Sequence, residues 1–171
     1  YRGNNIQVIP ELNAGPSLME ALGQLTQRLA PEPSPTGIAF TTIAEVLQEV
    51  YTARLERMGD VEGGRGTSCT THLCVVDKDG SMVSLTQTLL SIFGSKFVLP
   101  ESGILMNNGL MWFNPPPGHP NSMTPGKRAL ANTCPVIGLN KRGGFAVGAS
   151  GGRKIMPAVL QLISFLLDNG M

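Results

Sequence analysis

Three stretches of the chain repeat apolar residues at steps of three and four. In the first, Leu18, Ala21, Leu22, Leu25 and Leu29 form one stripe, which predicts a helix capped by Ser17 and ended by Pro31, Pro33 and Pro35. The second stripe, Ile43, Val46, Leu47, Val50, Tyr51 and Leu55, predicts a helix from Thr42, with Glu45 completing a capping box. Gln48, Glu49 and Arg57 fall on its opposite face. The third stripe, Ile155, Val159, Leu160, Ile163, Leu166 and Leu167, predicts a C-terminal helix that opens at Gly151-Gly152. Pro157 fits that helix only inside its first turn, where a missing N–H costs no hydrogen bond.

Elsewhere the period shortens to two. Ile6 and Val8 suggest a short strand, stopped by Pro10 and Gly15-Pro16. Residues 71–76 and 82–88 read as a hairpin closed by Asp77-Lys78-Asp79-Gly80, because Asp-Gly supplies the backbone angles a tight turn needs. Further strands are expected at 103–106, at 136–139 and, after the turn at 140–144, at 145–147. A glycine-rich lead-in, 63–69, precedes the hairpin, and the stiff loop Asn114-Pro115-Pro116-Pro117-Gly118-His119-Pro120 cannot join a central strand. Helices before and after a set of antiparallel strands give an α+β class.

Composition sharpens this outline. Hydrophobic residues make up 42% of the 171 and charged ones only 15%, so much of the chain must be buried. The 21 Gly and 13 Pro imply many turns with special backbone angles. With 13 Lys and Arg against 12 Asp and Glu, the chain lacks the basic footprint of a nucleic-acid-binding protein. No apolar run reaches the roughly 20 residues of a membrane-spanning helix. Tyr1 is not an initiator methionine and no signal peptide follows it, so the compartment is not legible. Cys69, Cys74 and Cys134 lack zinc-ligand spacing and are expected to be small buried residues rather than a disulfide frame.

No zinc-protease helix, Walker loop or dinucleotide fingerprint is present, and two histidines are too few for most metal sites, so neither metal nor cofactor is expected. What stands out is a cluster of hydroxyl residues at Thr67, Ser68, Thr70, Thr71, Thr86 and Thr88 around the hairpin. Threonine is also a good strand former, so this cluster alone does not imply chemistry.

The order of several blocks is more specific. Thr70-Thr71-His72-Leu73-Cys74-Val75-Val76-Asp77-Lys78-Asp79-Gly80, then Val83-Ser84-Leu85-Thr86-Gln87-Thr88, Phe93-Gly94-Ser95, Ser102-Gly103-Ile104-Leu105-Met106-Asn107-Asn108, Pro125-Gly126-Lys127-Arg128, Cys134-Pro135 and Gly148-Ala149-Ser150-Gly151-Gly152 together resemble the γ-glutamyltranspeptidase family. Tyr1-Arg2-Gly3, Val8, Pro10, Ile43-Ala44-Glu45 and Gly59-Asp60 are similar to the end of the family's large subunit. The resemblance therefore implies two regions, 1–69 from the large subunit and 70–171 from the small, catalytic one.

Members of this family are self-cleaving N-terminal-nucleophile hydrolases. The resemblance implies a cut between Cys69 and Thr70, after which the Thr70 hydroxyl is the nucleophile and its freed α-amine the base. It implies that Thr88 contacts the nucleophile and assists cleavage and catalysis, and that Gly151 and Gly152 form the oxyanion site. Glycines ahead of a helix leave room for an oxyanion at the positive end of the helix dipole.

On the substrate side the chain departs from the family. Leu90 replaces an asparagine, Gly109 and Trp112 replace the glutamine and aspartate that hold the substrate α-amino group, and Ala131-Asn132 replace the Ser-Ser pair that holds the α-carboxylate. A free γ-glutamyl head would leave charge unmatched in such a pocket, although Asn132 can still donate to a carboxylate. Trp112, next to Met111 and Phe113, is either a core aromatic or an apolar wall for a different acyl group.

The leading reading is a γ-glutamyltranspeptidase-like amidohydrolase or acyltransferase acting on a small amide or γ-glutamyl substrate. The alternatives are an amidase of the same family with another acyl specificity and a non-catalytic, uncut homologue. The implied architecture is an αββα four-layer sandwich, incomplete in this chain, as if it were the cleavage-spanning core of a longer precursor. An exposed apolar face should then associate with the remaining large-subunit segment or with another copy.

Overall fold

The computed structural model describes residues 1–58 and 69–171. Gly59-Asp60 and residues 63–68 of the glycine-rich lead-in, with Thr67 and Ser68, lie outside the described residues.

The first helix, α1 (Gly15–Arg28), opens ahead of its apolar stripe, which begins at Leu18, with Pro16 in its first turn. Gly15 is required there, since a Cβ would collide with the Ile9 carbonyl. Ser17 is therefore not the cap; it is buried, and its hydroxyl accepts a bond from Arg54 at 3.2 Å. The second helix, α2 (Gly37–Arg57), also starts early. Thr36, still extended after Pro35, caps it by accepting the Ala39 N–H at 3.2 Å, so Thr42 and Glu45 sit inside the helix rather than at its mouth.

Strand β1 (Asn5–Val8) pairs with β4 (Val136–Asn140), which pairs with β5 (Gly143–Val147), forming an antiparallel three-stranded sheet in the order β1-β4-β5. Its Ile6, Val8, Val136, Phe145 and Val147 face the helices and join Leu18, Leu22, Leu25, Val46 and Val50 in the main core. The C-terminal helix α3 (Ile155–Asp168) closes that core with Ile155, Met156, Val159, Leu160 and Ile163. Pro157 falls in its first turn, as required. Leu166 differs from expectation: it is 38% exposed, because it borders an apolar groove between α3 and β5 rather than the core. At the end of α3 the buried carboxylate of Asp168 accepts bonds from Arg2 Nε at 2.6 Å, Ser164 Oγ at 2.7 Å and the Tyr1 hydroxyl, tying the first residues to the last helix.

The remaining strands, β2 (Thr70–Val76) and β3 (Met82–Thr88), form the expected hairpin. Asp77 Oδ1 accepts the N–H groups of Asp79 and Ser81 at 2.9 and 2.8 Å, and Gly80 takes φ +85°. Those donors hold the Asp77 carboxyl below its usual pKa. The hairpin lies on the sheet face turned away from the helices: Ser84 Oγ donates to the Val147 carbonyl at 3.0 Å, and the His72 ring packs on Gly148 where no Cβ could fit. The layers run helices, three-stranded sheet, hairpin. Leu73, Val75, Val83 and Leu85 occupy the outer hairpin face and are exposed.

Residues 103–106 do not form the expected strand. Gly103, at φ +68°, sits in a tight turn in which the Leu99 N–H bonds the Ile104 carbonyl, leaving one bridge between Val98 and Leu105. Only Cys134 is buried among the cysteines, and burial pushes its thiol up to about 12. Cys69 is half-buried and Cys74 exposed, which corrects the expectation of three buried thiols. Cys74 lies toward the turn end of the hairpin, where little of the sheet covers it. Among the described residues no helix is long and apolar enough to cross a membrane.

Candidate active site

The hairpin register sets Thr70 opposite Thr88, His72 opposite Thr86 and Cys74 opposite Ser84, all on the face toward the sheet. Alternation along a strand thus places the hydroxyl residues in one ladder. At its end the Thr70 hydroxyl donates to Thr88 Oγ1 at 3.0 Å, and the Thr88 hydroxyl donates to the Cys69 carbonyl at 3.2 Å. The Leu90 N–H donates to Thr88 Oγ1 at 2.9 Å. The Cys69 carbonyl receives a second donor, the Leu89 N–H, at 3.3 Å. Cys69 N–H in turn bonds the Leu90 carbonyl at 3.3 Å. One hydroxyl therefore touches both the Thr70 side chain and the carbonyl of the peptide bond before it.

This arrangement bends the backbone after β3. Leu90 takes φ +70°, a left-handed conformation that costs a residue with a Cβ roughly 1–2 kcal/mol. Asn108 holds the bend: its Oδ1 accepts the Ser91 N–H at 3.0 Å, its Nδ2 donates to Ser91 Oγ at 2.7 Å, and its own N–H bonds the Leu89 carbonyl at 3.2 Å. Asn107 Oδ1 accepts the Gly109 N–H at 2.8 Å and starts the 3₁₀ turn Gly109–Trp112. In the sequence the Asn107-Asn108 pair stands out only as part of the block at 102–108. Its buttressing role could have been suspected from two adjacent short amides, which readily bond nearby backbone.

His72 continues the ladder. Its Nδ1 lies 2.9 Å from Thr86 Oγ1 and its Nε2 3.1 Å from Cys74 Sγ, and desolvation lowers its pKa, favouring the neutral ring. Beyond Gly148 the chain reaches Gly151, at φ +125°, and Gly152, at φ +60°, values that favour glycine at both positions. The 3₁₀ turn Gly152–Lys154 leads directly into α3. The Tyr51 hydroxyl of α2 donates to the Arg153 carbonyl at 2.5 Å and pins that turn.

The substrate-side positions are placed on three different segments. Leu90 follows β3 directly, Gly109 and Trp112 bound the 3₁₀ turn, and Ala131 and Asn132 lie before β4. Trp112 is half-buried, and its backbone carbonyl accepts from the buried Asn121 amide at 2.6 Å. Ala131 and Asn132 rest on the guanidinium of Arg54, which donates to the Ala131 carbonyl at 2.7 Å and to Asn132 Oδ1 at 3.4 Å. Arg54 did not stand out in the sequence, since one cation in an amphipathic helix ordinarily faces water. Among the described residues, no three His, Cys, Asp or Glu side chains group as a metal site would require.

Known proteins resemble this chain over the same region. The family model described as gamma-glutamyltranspeptidase matches residues 62–171. The "Acylase ACY 1 proenzyme" of Pseudomonas sp. (strain SE83) is 38% identical over 112 residues, covering 65% of this chain and 20% of that protein. The "Glutathione hydrolase proenzyme" of Escherichia coli (strain K12) is 39% identical over 113 residues, covering 60% of this chain and 20% of its own length. This chain thus spans about a fifth of the curated relatives it matches. Among solved structures, the gamma-glutamyltranspeptidase from Pseudomonas nitroreducens complexed with L-DON superposes with a TM-score of 0.54 at 32% identity, over 59% of this chain and 58% of that one. A Helicobacter pylori gamma-glutamyltranspeptidase mutant gives 0.53 at 35% identity, over 59% and 60%. These neighbours are enzymes of the N-terminal-nucleophile hydrolase fold, in agreement with the α+β layers described above. With the model covering well over half of its residues, the chain belongs to the gamma-glutamyltranspeptidase family.

Proposed function

We propose that the protein containing this chain cuts itself between Cys69 and Thr70 and then uses Thr70 as the nucleophile of an amidohydrolase or acyltransferase. The observation that carries this reading is the Thr88 hydroxyl, which accepts from Thr70 and donates to the Cys69 carbonyl. In the uncut chain Thr70 Oγ1 attacks the Cys69 carbonyl carbon. Thr88 and the Leu89 N–H carry the charge that develops on the carbonyl oxygen, as two oxyanion donors should. The hydroxyl proton of Thr70 passes to the departing Thr70 nitrogen, which leaves an ester between Cys69 and Thr70 Oγ1. Water hydrolyses that ester, giving a Cys69 carboxylate and a free Thr70 amine. Until the bond is cut, the Thr70 nitrogen is an amide and cannot act as a base.

In the cut protein the α-amine takes the Thr70 hydroxyl proton as Oγ1 attacks a substrate amide. The amine of the substrate leaves with that proton, and water or a second amine resolves the acyl-enzyme. Gly151 and Gly152, ahead of α3, serve as the oxyanion site for this second reaction. The pocket positions Leu90, Gly109, Trp112, Ala131 and Asn132 support an acyl group other than free γ-glutamyl, because they offer an ammonium ion no carboxylate. Residues 1–69 then belong to the large-subunit side of the precursor and 70–171 to the small-subunit side. The remaining large-subunit segment supplies the fourth layer of an αββα sandwich over Leu73, Val75, Val83 and Leu85.

Substitution of the nucleophile tests the proposal. Thr70→Ala should give a precursor that neither splits nor turns over an amide donor, a loss on the order of 10⁴-fold or more, while Thr70→Ser retains both at reduced rate. Splitting or turnover by Thr70→Ala would contradict it.

A further inference from the structure

We propose that Asn108 is a positioning residue for self-cleavage, and that it acts by turning the two peptide groups on either side of Leu90 so that their far edges meet the segment being cut. The inference rests on the reading that Thr70 Oγ1 attacks the Cys69 carbonyl. In a trans peptide the C=O and N–H point in opposite directions, so holding one aims the other. The peptide group between Leu89 and Leu90 has its carbonyl on the Asn108 N–H at 3.2 Å, and its opposite edge, the Leu90 N–H, donates to Thr88 Oγ1 at 2.9 Å. The next group, between Leu90 and Ser91, has its N–H on Asn108 Oδ1 at 3.0 Å, and its opposite edge, the Leu90 carbonyl, accepts the Cys69 N–H at 3.3 Å. Asn108 thus grips one edge of both groups, and Thr88 and Cys69 meet the other.

Each of the two inner bonds bears on the reaction. A hydroxyl has one hydrogen and two lone pairs. Thr88 Oγ1 accepts from the Thr70 hydroxyl at 3.0 Å and from the Leu90 N–H at 2.9 Å, which fills both lone pairs and leaves its hydrogen for the Cys69 carbonyl at 3.2 Å. The bond from the Cys69 N–H to Leu90 holds the residue whose carbonyl must lie against Thr88 and against the Leu89 N–H at 3.3 Å. Aiming the two peptide groups therefore sets both the direction of the Thr88 donor and the place of its target.

The grip works against the backbone. Leu90 takes φ +70°, and its simplest relaxation is a return to negative φ, which would rotate both peptide groups and withdraw both inner bonds. The Asn108 side chain is itself fixed in one orientation. Its Nδ2 donates to Ser91 Oγ at 2.7 Å and to Met111 Sδ at 2.9 Å, and a flipped amide would set its NH₂ against the Ser91 N–H.

The test follows the splitting of newly synthesised full-length precursor on gels. Asn108→Ala should split at least about tenfold more slowly than wild type, part of what losing an oxyanion donor outright would cost. Asn108→Gln keeps the amide but lengthens it by one methylene, so it should show a similar loss, and it serves where Asn108→Ala does not fold. Asn108→Asp keeps an acceptor for the Ser91 N–H and should stay within about threefold of wild type. In a Leu90→Gly background the loss from Asn108→Ala or Asn108→Gln should shrink about fivefold or more, because glycine takes φ +70° at little cost and leaves less for Asn108 to hold. A residue that only stabilised the fold would cost the same in both backgrounds. Wild-type splitting by Asn108→Ala or Asn108→Gln, a loss in Asn108→Asp as large as theirs, or equal losses in the two backgrounds would overturn the inference. Splitting that survives Thr70→Ala in the same assay would instead overturn the nucleophile reading.

Discussion

The two sides of the three-stranded sheet are held by different physics. On the helical side, the main core draws on α1, α2, α3 and one sheet face, and among the described residues it contains no buried member between Val50 and Cys134. On the hairpin side, Leu73, Val75, Val83 and Leu85 are 39–53% exposed, and the inner contacts are polar, from Thr70 and Thr88 through His72 and Thr86 to Ser84. Apolar packing is non-directional and stabilises in proportion to buried area, whereas hydrogen bonds fix atoms to within tenths of an ångström at modest net gain. The chain thus builds stability on one side of the sheet and holds Thr70, Thr88 and the Cys69 carbonyl in register on the other.

Substitutions on each side can break this division. Leu160→Ala, at a fully buried α3 position, should cost about 2–5 kcal/mol in urea unfolding, against about 1 kcal/mol for Ser84→Ala, which loses one bond to Val147. Equal costs would show that the hairpin is as much a part of the stabilising core as α3. Thr88→Val should slow self-cleavage roughly 10²-fold with little change in unfolding, because it removes a donor to the Cys69 carbonyl while keeping the side-chain volume. A rate of fragment formation equal to wild type, followed by gel densitometry, would remove Thr88 from the reaction. The smallest effect should come from Leu90→Asn, which tolerates φ +70° better and should raise stability by about 1 kcal/mol; an unchanged or lower melting temperature would mean that the bend stores no strain.

The helical side was the more legible in the sequence. The apolar stripes of all three helices are buried or half-buried except at Leu166, because a period of three and four directly encodes a buried face. Helix starts were less legible: Thr36 and Gly15 act through local backbone geometry that competing candidates such as Ser17 and Thr42 mimic. On the hairpin side the Asp-Gly turn disclosed the pairing, and pairing alone set Thr70 against Thr88. The contacts of Thr88 with Cys69 and of Asn108 with Ser91 depend on how the chain bends after β3, which no periodicity records. Arg54 was hidden for a related reason, since its partners lie about 40 and nearly 80 residues away in the sequence.

The central claim is that the bond between Cys69 and Thr70 is the one that breaks, and that Thr70 becomes the new N-terminus. N-terminal sequencing, with the intact mass, of the smaller fragment from processed full-length protein tests this directly. The expected result is a fragment beginning Thr70-Thr71-His72-Leu73-Cys74. A fragment beginning at any other residue, or an unsplit chain that turns over amide donors, would contradict it.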